Sequence, residues 1–168
     1  MSFFPFRVGM QRQNLSSATR KRVLAASVEE VWTVIEDPHQ MPRWWPNIER
    51  MEGVEGDHFT QVFKTRRRHT VRADFRVIES EPPGARFTSG HRTWEQMLAG
   101  TPFESVLVEA VTEIAVEPAE GGGTQVTIAQ RQRLRGYSKT GAWAMRGATS
   151  KRLDQALEGL ARILEVSD

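Results

Sequence analysis

The side chains able to move a proton or hold a metal near neutral pH are four histidines and 21 carboxylates, so spacing has to decide which of them could do chemistry. Cysteine is absent from all 168 residues, which removes thiol nucleophiles, thiolate metal sites, iron–sulfur clusters and disulfides together. The four histidines are His39, His58, His69 and His91. The first three fall at a helix end, a turn and a strand start, where a solvated imidazole needs no further role. His91 differs: alternation from Phe87 through Ser89 directs it to the inside of a strand, beside inward-facing Gln130 and Gln132 of the last strand. There an imidazole can act as a general base near neutral pH, or it can simply hydrogen-bond within a pocket. No metal is expected, because the histidines lack the i, i+4 spacing of a helical zinc pair and no Asp, Glu and His cluster stands at ligand spacing. Gly121, Gly122 and Gly123 read as a hairpin turn and not a phosphate cradle, since no Gly-Lys-Ser/Thr follows and no helix begins there. A Gly-x-Ser-x-Gly elbow is also absent. No cofactor is expected.

The elements that must position these groups follow from periodicity. Residues 19–25 form the first strand, and Ser27 with Glu30 three residues on is a capping-box pattern that opens a helix. Val28, Val31, Trp32 and Ile35 share one face of that helix, and Asp37-Pro38 closes it. Prolines at 38, 42 and 46 allow only a short helical turn around Trp44 and Trp45. These tryptophans are either core anchors or part of a cavity wall. From residue 47 to 135 the period becomes two, with strands at 48–54, 59–66, 70–79, 85–92, 105–117 and 124–135. Residues 93–103 break the alternation, and Trp94, Met97 and Phe103 there form a lid or pack beneath a surface loop.

Register can be read for the last hairpin. A turn centred near residues 120 and 121 places Glu109 opposite Arg131, with Val106, Val108, Ala110, Ile114, Val126, Ile128 and Leu134 inside. In the earlier strand Val71, Ala73, Phe75 and Val77 point in, while Arg72, Asp74 and Arg76 point out. A final helix over 138–165 carries Leu153, Ala156, Leu157, Leu160 and Leu164 as an apolar stripe. Thr149, Arg146, Met145 and Ala142 extend that side upstream with smaller and more polar groups.

Length and composition fit one domain over 18–168 after an extension over 1–17. The apolar share is 39% and the charged share 26%, ordinary for a soluble protein. Lys plus Arg is 23 against 21 acidic residues, so the net charge of +2 gives no reason to expect nucleic acid. The basic run Lys64-Thr65-Arg66-Arg67-Arg68-His69 straddles a strand end and a turn, where solvation accounts for it. No window reaches 18 apolar residues and the N-terminus lacks a signal-peptide pattern, so no membrane span and a cytoplasmic location are expected. The expected state is monomer or homodimer, with Phe3, Phe4 and Phe6 as a candidate docking arm.

A curved sheet wrapped around one long helix cannot close its own middle, so a cavity for a small molecule is expected between them. Arg22 to Trp32, then Asp37-Pro38 with Met41-Pro42-Arg43-Trp44-Trp45-Pro46, Gly122-Gly123-Thr124, and Leu153 to Leu164 together resemble the START-like helix-grip superfamily (SRPBCC), which includes polyketide cyclases and lipid-transfer domains. The resemblance implies an α+β helix-grip fold: a curved seven-stranded antiparallel sheet wrapped around a long C-terminal helix, with two short helices after the first strand. It implies binding, transport or sensing of an apolar or aromatic small molecule, lipid or polyketide-like. The alternative is a polyketide aromatase/cyclase acting in the same cavity, with His91 as base and Gln130, Gln132 or Arg146 orienting. The candidate cavity residues are Trp44, Trp45, Phe63, Phe75, Phe87, Ser89, His91, Trp94, Gln130, Gln132, Met145, Arg146 and Thr149. Such motifs specify fold better than function.

Overall fold

The computed structural model describes residues 15–84, 88–136 and 139–165. Strand β1 (Leu15–Leu24) leads into helix α1 (Val28–Ile35), a 3-10 turn (Pro38–Gln40) and the single helical turn α2 (Met41–Trp44). Six more strands follow: β2 (Ile48–Glu55), β3 (His58–Lys64), β4 (Thr70–Glu81), β5 (Gly90–Met97), β6 (Leu107–Pro118) and β7 (Thr124–Leu134). A 3-10 turn (Pro102–Ser105) precedes β6, and α3 (Lys139–Glu165) closes the fold. The strands make one antiparallel sheet in the order β1-β7-β6-β5-β4-β3-β2, with α3 packed against it. This is the expected helix-grip architecture. The first strand begins at Leu15, ahead of the boundary expected at residue 18, and Phe3, Phe4, Phe6, Phe87 and Tyr137 lie outside the described residues. No helix among the described residues is long and apolar enough to cross a membrane.

Local chemistry explains the helical layer. The Ser27 hydroxyl accepts from the Glu30 amide at 3.1 Å, and Glu29 and Glu30 place negative charge at the positive end of α1. Asp37 caps the next turn by accepting from the His39 amide at 3.0 Å. Trp44 and Trp45 are both buried and meet edge to face at 5.5 Å between centroids. Phe59 stacks on Phe75 at 5.3 Å, and Trp94 sits edge-on to both Trp45 and Phe59. Five rings thus fill the space between α2 and the inner face of the sheet. The tryptophans after the first helix are core anchors.

The last hairpin keeps the expected faces but not the expected partners. Pro118 pairs with Thr124, so the turn centres on residue 121, and Glu109 stands opposite Arg133. Moving the centre by one residue moves every partner by two, which leaves the in–out alternation intact. Arg131 still reaches Glu109 diagonally at 3.6 Å. Gly122 and Gly123, at φ of +97° and +77°, make this centre possible. A bulge between Leu107 and Glu109 turns Leu107 inward instead, so Val106 and Val108, expected inside, are exposed.

Arg50, Arg72, Arg76, Arg131 and Arg133 lie on the outer face of the sheet. Arg72 and Arg50 converge on Glu52, Arg50 also reaches Glu49 at 3.3 Å, and Arg76 pairs with Glu95. The Arg72 guanidinium first, then that of Arg50, holds the Glu52 carboxyl below its ordinary value. Exposed pairs of this kind are screened by water and add little net stability, so this network wets the sheet more than it stabilises it. The basic run at 64–69 forms an exposed turn in which the Thr65 and Arg68 amides are satisfied by backbone carbonyls.

Candidate functional site

The inner face of the sheet is not uniformly apolar. One apolar cluster includes Leu24, Trp94, Ile114, Val116, Val126, Ile128 and the leucines of α3. A second, smaller one is Leu98, Leu107 and Ala110, with Phe103, Leu134 and Met145 against it. Between them, at one level of β1, β5, β6, β7 and α3, the inward residue becomes polar. On β7 the order is Ile128, then Gln130 and Gln132, then Leu134; on β6 it is Ile114, Thr112, Ala110. On β5 it is Trp94 and then Gln96, with Leu98 just past the strand, and on α3 it is Leu153, then Arg152 and Thr149, then Met145. Ser16, paired with Gln132, extends the level to β1.

This belt is only partly satisfied from within. Gln130 Nε2 donates to Thr112 Oγ1 at 2.9 Å, and Thr149 Oγ1 donates to Gln132 Oε1 at 3.3 Å. Arg152 reaches Gln130 Oε1 at 3.5 Å, a long bond for a cation, and no carboxylate among the described residues pairs with it. Burial lowers the Arg152 pKa from its ordinary value. Ser16 Oγ and Gln96 Nε2 are shut off from solvent without a hydrogen-bond partner among the described residues. Burying a polar group unpaired costs about 1–3 kcal/mol, so a belt of this kind calls for something that completes it.

Sequence reasoning placed Gln130, Gln132 and Thr149 here, and the structure brings them together. Trp44, Trp45 and Trp94 belong to the aromatic core, with Phe75 stacked beside them; Trp94 is a residue of β5 and not of a lid. Phe63 pairs with Ile48 and Val71 on the strands farther from the belt, Met145 is in the smaller cluster, and Arg146 and Ser89 are exposed. Met97 is exposed, while Phe103 packs beneath its turn.

His91 requires a correction. It stands opposite Glu81 on β4 and Ala115 on β6, on the outer face, and contacts Glu79 at 2.9 Å. Burial of Trp94 fixes the frame of β5, so Arg92, Trp94 and Gln96 point in while His91, Thr93 and Glu95 point out. A one-residue error in frame reversed the face. The same cross-strand register gathers Glu79, Glu81 and His91, a grouping that spacing along the chain does not reveal.

Gln96, Thr112, Arg152 and Ser16 were missed. Arg152 carried a usable signal, three residues after Thr149 and one before Leu153 on the apolar stripe. Arg92 is a second inward cation; burial lowers its pKa, opposed by the charges of Glu36 and Asp57, and it donates to Ser80 Oγ at 2.9 Å. At the other end of the sheet an open depression of about 450 Å³ is lined by Ala25, Ala26, Ser27, Glu30, Gly123 and Leu164, and offers little beyond one carboxylate.

A family model described as polyketide cyclase / dehydrase and lipid transport matches residues 16–165, from the start of β1 to the end of α3. The chain belongs to this polyketide cyclase/dehydrase and lipid transport family. No curated protein sequence matches it. Among solved structures it resembles the di-domain ARO/CYC StfQ of the steffimycin biosynthetic pathway, with a TM-score of 0.71 at 12% identity over 92% of this chain. The chain spans 52% of that protein, about half of a di-domain. A Staphylococcus aureus protein of unknown function has a TM-score of 0.71 at 14% identity, covering 93% of this chain and 97% of its own. A START superfamily protein from Mycobacterium smegmatis has a TM-score of 0.65 at 11% identity, covering 90% and 97%. At these identities the likeness is one of fold, and the polyketide cyclase/dehydrase and lipid transport family spans several activities.

Proposed function

We propose that this protein binds an apolar or aromatic small molecule between the sheet and α3, with an oxygen-bearing or anionic end of that molecule held by the polar belt. The observation that carries this reading is Arg152, a largely buried guanidinium whose one bond among the described residues is a long one to Gln130. Around it the belt offers both donors and acceptors, and the two apolar clusters on either side suit the body of the ligand. A buried cation without a counter-charge is costly in the free protein and useful in the complex.

The test uses two fluorescent probes of like shape, anilinonaphthalene sulfonate and the uncharged N-phenylnaphthylamine. The wild type is expected to bind the sulfonate, and Arg152→Met to weaken it about 10- to 100-fold while leaving the uncharged probe little changed, since a charged hydrogen bond contributes about 1.5–3 kcal/mol. The same substitution is expected to hold or raise the melting temperature, because it removes an uncompensated buried charge. A variant that loses stability and binds both probes as before would overturn the assignment. Native mass spectrometry of the purified protein would identify a co-purified ligand.

A second reading is aromatase/cyclase chemistry, favoured by the ARO/CYC neighbours. It would use the same belt, with Arg152 suited to hold an oxyanion. With His91 on the outer face, that reading needs a base other than the imidazole expected for it.

A further inference from the structure

Outside the belt, one cluster of titratable side chains has the makings of a site. Glu79 and Glu81 are two residues apart on β4, and so on one face of the strand; His91 on β5 is the direct partner of Glu81. The bulge between Val77 and Glu79 sets this register. Glu79 Oε1 lies 2.9 Å from His91 Nε2, and Glu81 Oε2 lies 3.8 Å from Nδ1. One ligand atom from each of the three residues can be chosen so that all lie within 4.8 Å of one another.

Two further observations separate this group from an ordinary surface ion pair. The His91 side chain is 22% exposed, whereas the two carboxylates are 53% and 69% exposed, so the imidazole is a semi-buried anchor beneath two exposed carboxylates. Its Nε2 is shut off from solvent and makes no hydrogen bond among the described residues, although the Glu79 oxygen stands at 2.9 Å. Near in distance but out of line for a shared proton, nitrogen and oxygen are placed as neighbouring ligands of one ion are. Bonds of about 2.0–2.2 Å to a tetrahedral centre put ligand atoms roughly 3.3 Å apart.

We propose that Glu79, Glu81 and His91 form a divalent transition-metal site on the outer face of the sheet, one imidazole nitrogen and two carboxylate oxygens with water completing the shell. Mixed nitrogen and oxygen ligands suit Zn²⁺, Ni²⁺ or Cu²⁺ rather than Mg²⁺ or Ca²⁺, which take oxygen alone. The ion would join β4 to β5 at the root of their connection, where Pro83 already packs against Gly90. Its place is therefore structural: it clamps the mouth of a hairpin, on the opposite face from the belt.

The experiment is calorimetric titration of the full chain with Zn²⁺ alone, with thermal melts in parallel. One ion per chain is expected, together with a rise in melting temperature of several degrees at saturating Zn²⁺. Glu79→Gln, isosteric and at an exposed position, is expected to weaken binding about 10-fold or more, and His91→Ala to abolish the thermal shift; far-UV circular dichroism checks that both stay folded. His58→Ala, at the exposed first residue of β3, should bind like the wild type. Absence of stoichiometric binding, or binding unchanged in Glu79→Gln and His91→Ala, would show the cluster to be an ion pair only and would overturn the site. The probe-binding test of the belt is independent of either result.

Discussion

Trp94→Ala is expected to lower the unfolding free energy by about 3–5 kcal/mol, the range for deleting a fully buried aromatic side chain. Trp94 is 1% exposed, lies edge-on to Trp45 at 6.1 Å and to Phe59 at 6.3 Å, and belongs to the larger apolar cluster. Its removal would leave a void bounded by β5, α2 and β3, and α2 is too short to collapse into it without disturbing its contact with α3. With a typical domain stability of about 5–15 kcal/mol, the loss would be a large part of the whole. Urea unfolding monitored by circular dichroism measures it. A loss below about 1 kcal/mol would instead mean that Trp94 sits in a surface lid, as the broken alternation of residues 93–103 suggests. The experiment thus separates the two placements by stability alone.

The second large effect turns on a glycine within α3. Gly159 lies where the helix crosses α2, and a Cβ there would stand 2.7 Å from the Trp44 Cα and 2.9 Å from its carbonyl carbon. Those are backbone atoms and cannot swing aside as a side-chain tip can. Helix propensity favours alanine over glycine by about 1 kcal/mol, but overpacking a close contact typically costs about 1–3 kcal/mol and here the closest atoms are rigid. Sterics win: with the overpacking cost at the upper end of that range and about 1 kcal/mol returned by helix propensity, Gly159→Ala is expected to destabilise by about 1–2 kcal/mol net, with loss of near-UV signal as Trp44 shifts. The same helix supplies a control. Gly147 is exposed, and a methyl group on its Cα would meet nothing within 4 Å, so Gly147→Ala should stabilise by about 0.5–1 kcal/mol. If both substitutions moved stability in the same direction, the close approach of α2 and α3 would not be what fixes glycine at 159.

Gly159 also bears on how the belt is positioned. By letting α2 touch the backbone of α3 it seats the Trp44–Trp45 pair in the core at that end, while the helix upstream carries Thr149 and Arg152 opposite Gln130 and Gln132. The closely packed end and the polar belt are thus consecutive stretches of one helix. Gln130, Gln132 and Thr149 stand where residue periodicity puts them, whereas His91 has crossed to the outer face beside Glu79 and Glu81.

Much of the fold was legible along the chain because its signals are local. Ser27 with Glu30 marks a helix start through a hydrogen bond three residues long, and the leucines at 153, 157, 160 and 164 mark one helix face. Alternation in β4 and β7 assigns Phe75, Ala73, Ile128 and Gln130 to the inside with no knowledge of neighbours. What failed depends on a count of one. The frame of β5 reversed His91, the turn centre moved Glu109 from Arg131 to Arg133, and a bulge exposed Val106 and Val108. A strand has period two, so a single residue of offset exchanges its faces, and only packing against a distant ring such as Trp45 decides between them.

Residue type and short-range period were sufficient for the order of strands and helices, the absence of thiol chemistry and the inward set on β7, while the family resemblance supplied the helix-grip architecture. They were not sufficient to show that the inward polar residues of five elements meet at one level with Arg152 among them, or that two glutamates and a histidine meet on the far side. Both meetings follow from cross-strand register and from the depth of α3 against the sheet, which long-range packing sets and no local pattern encodes.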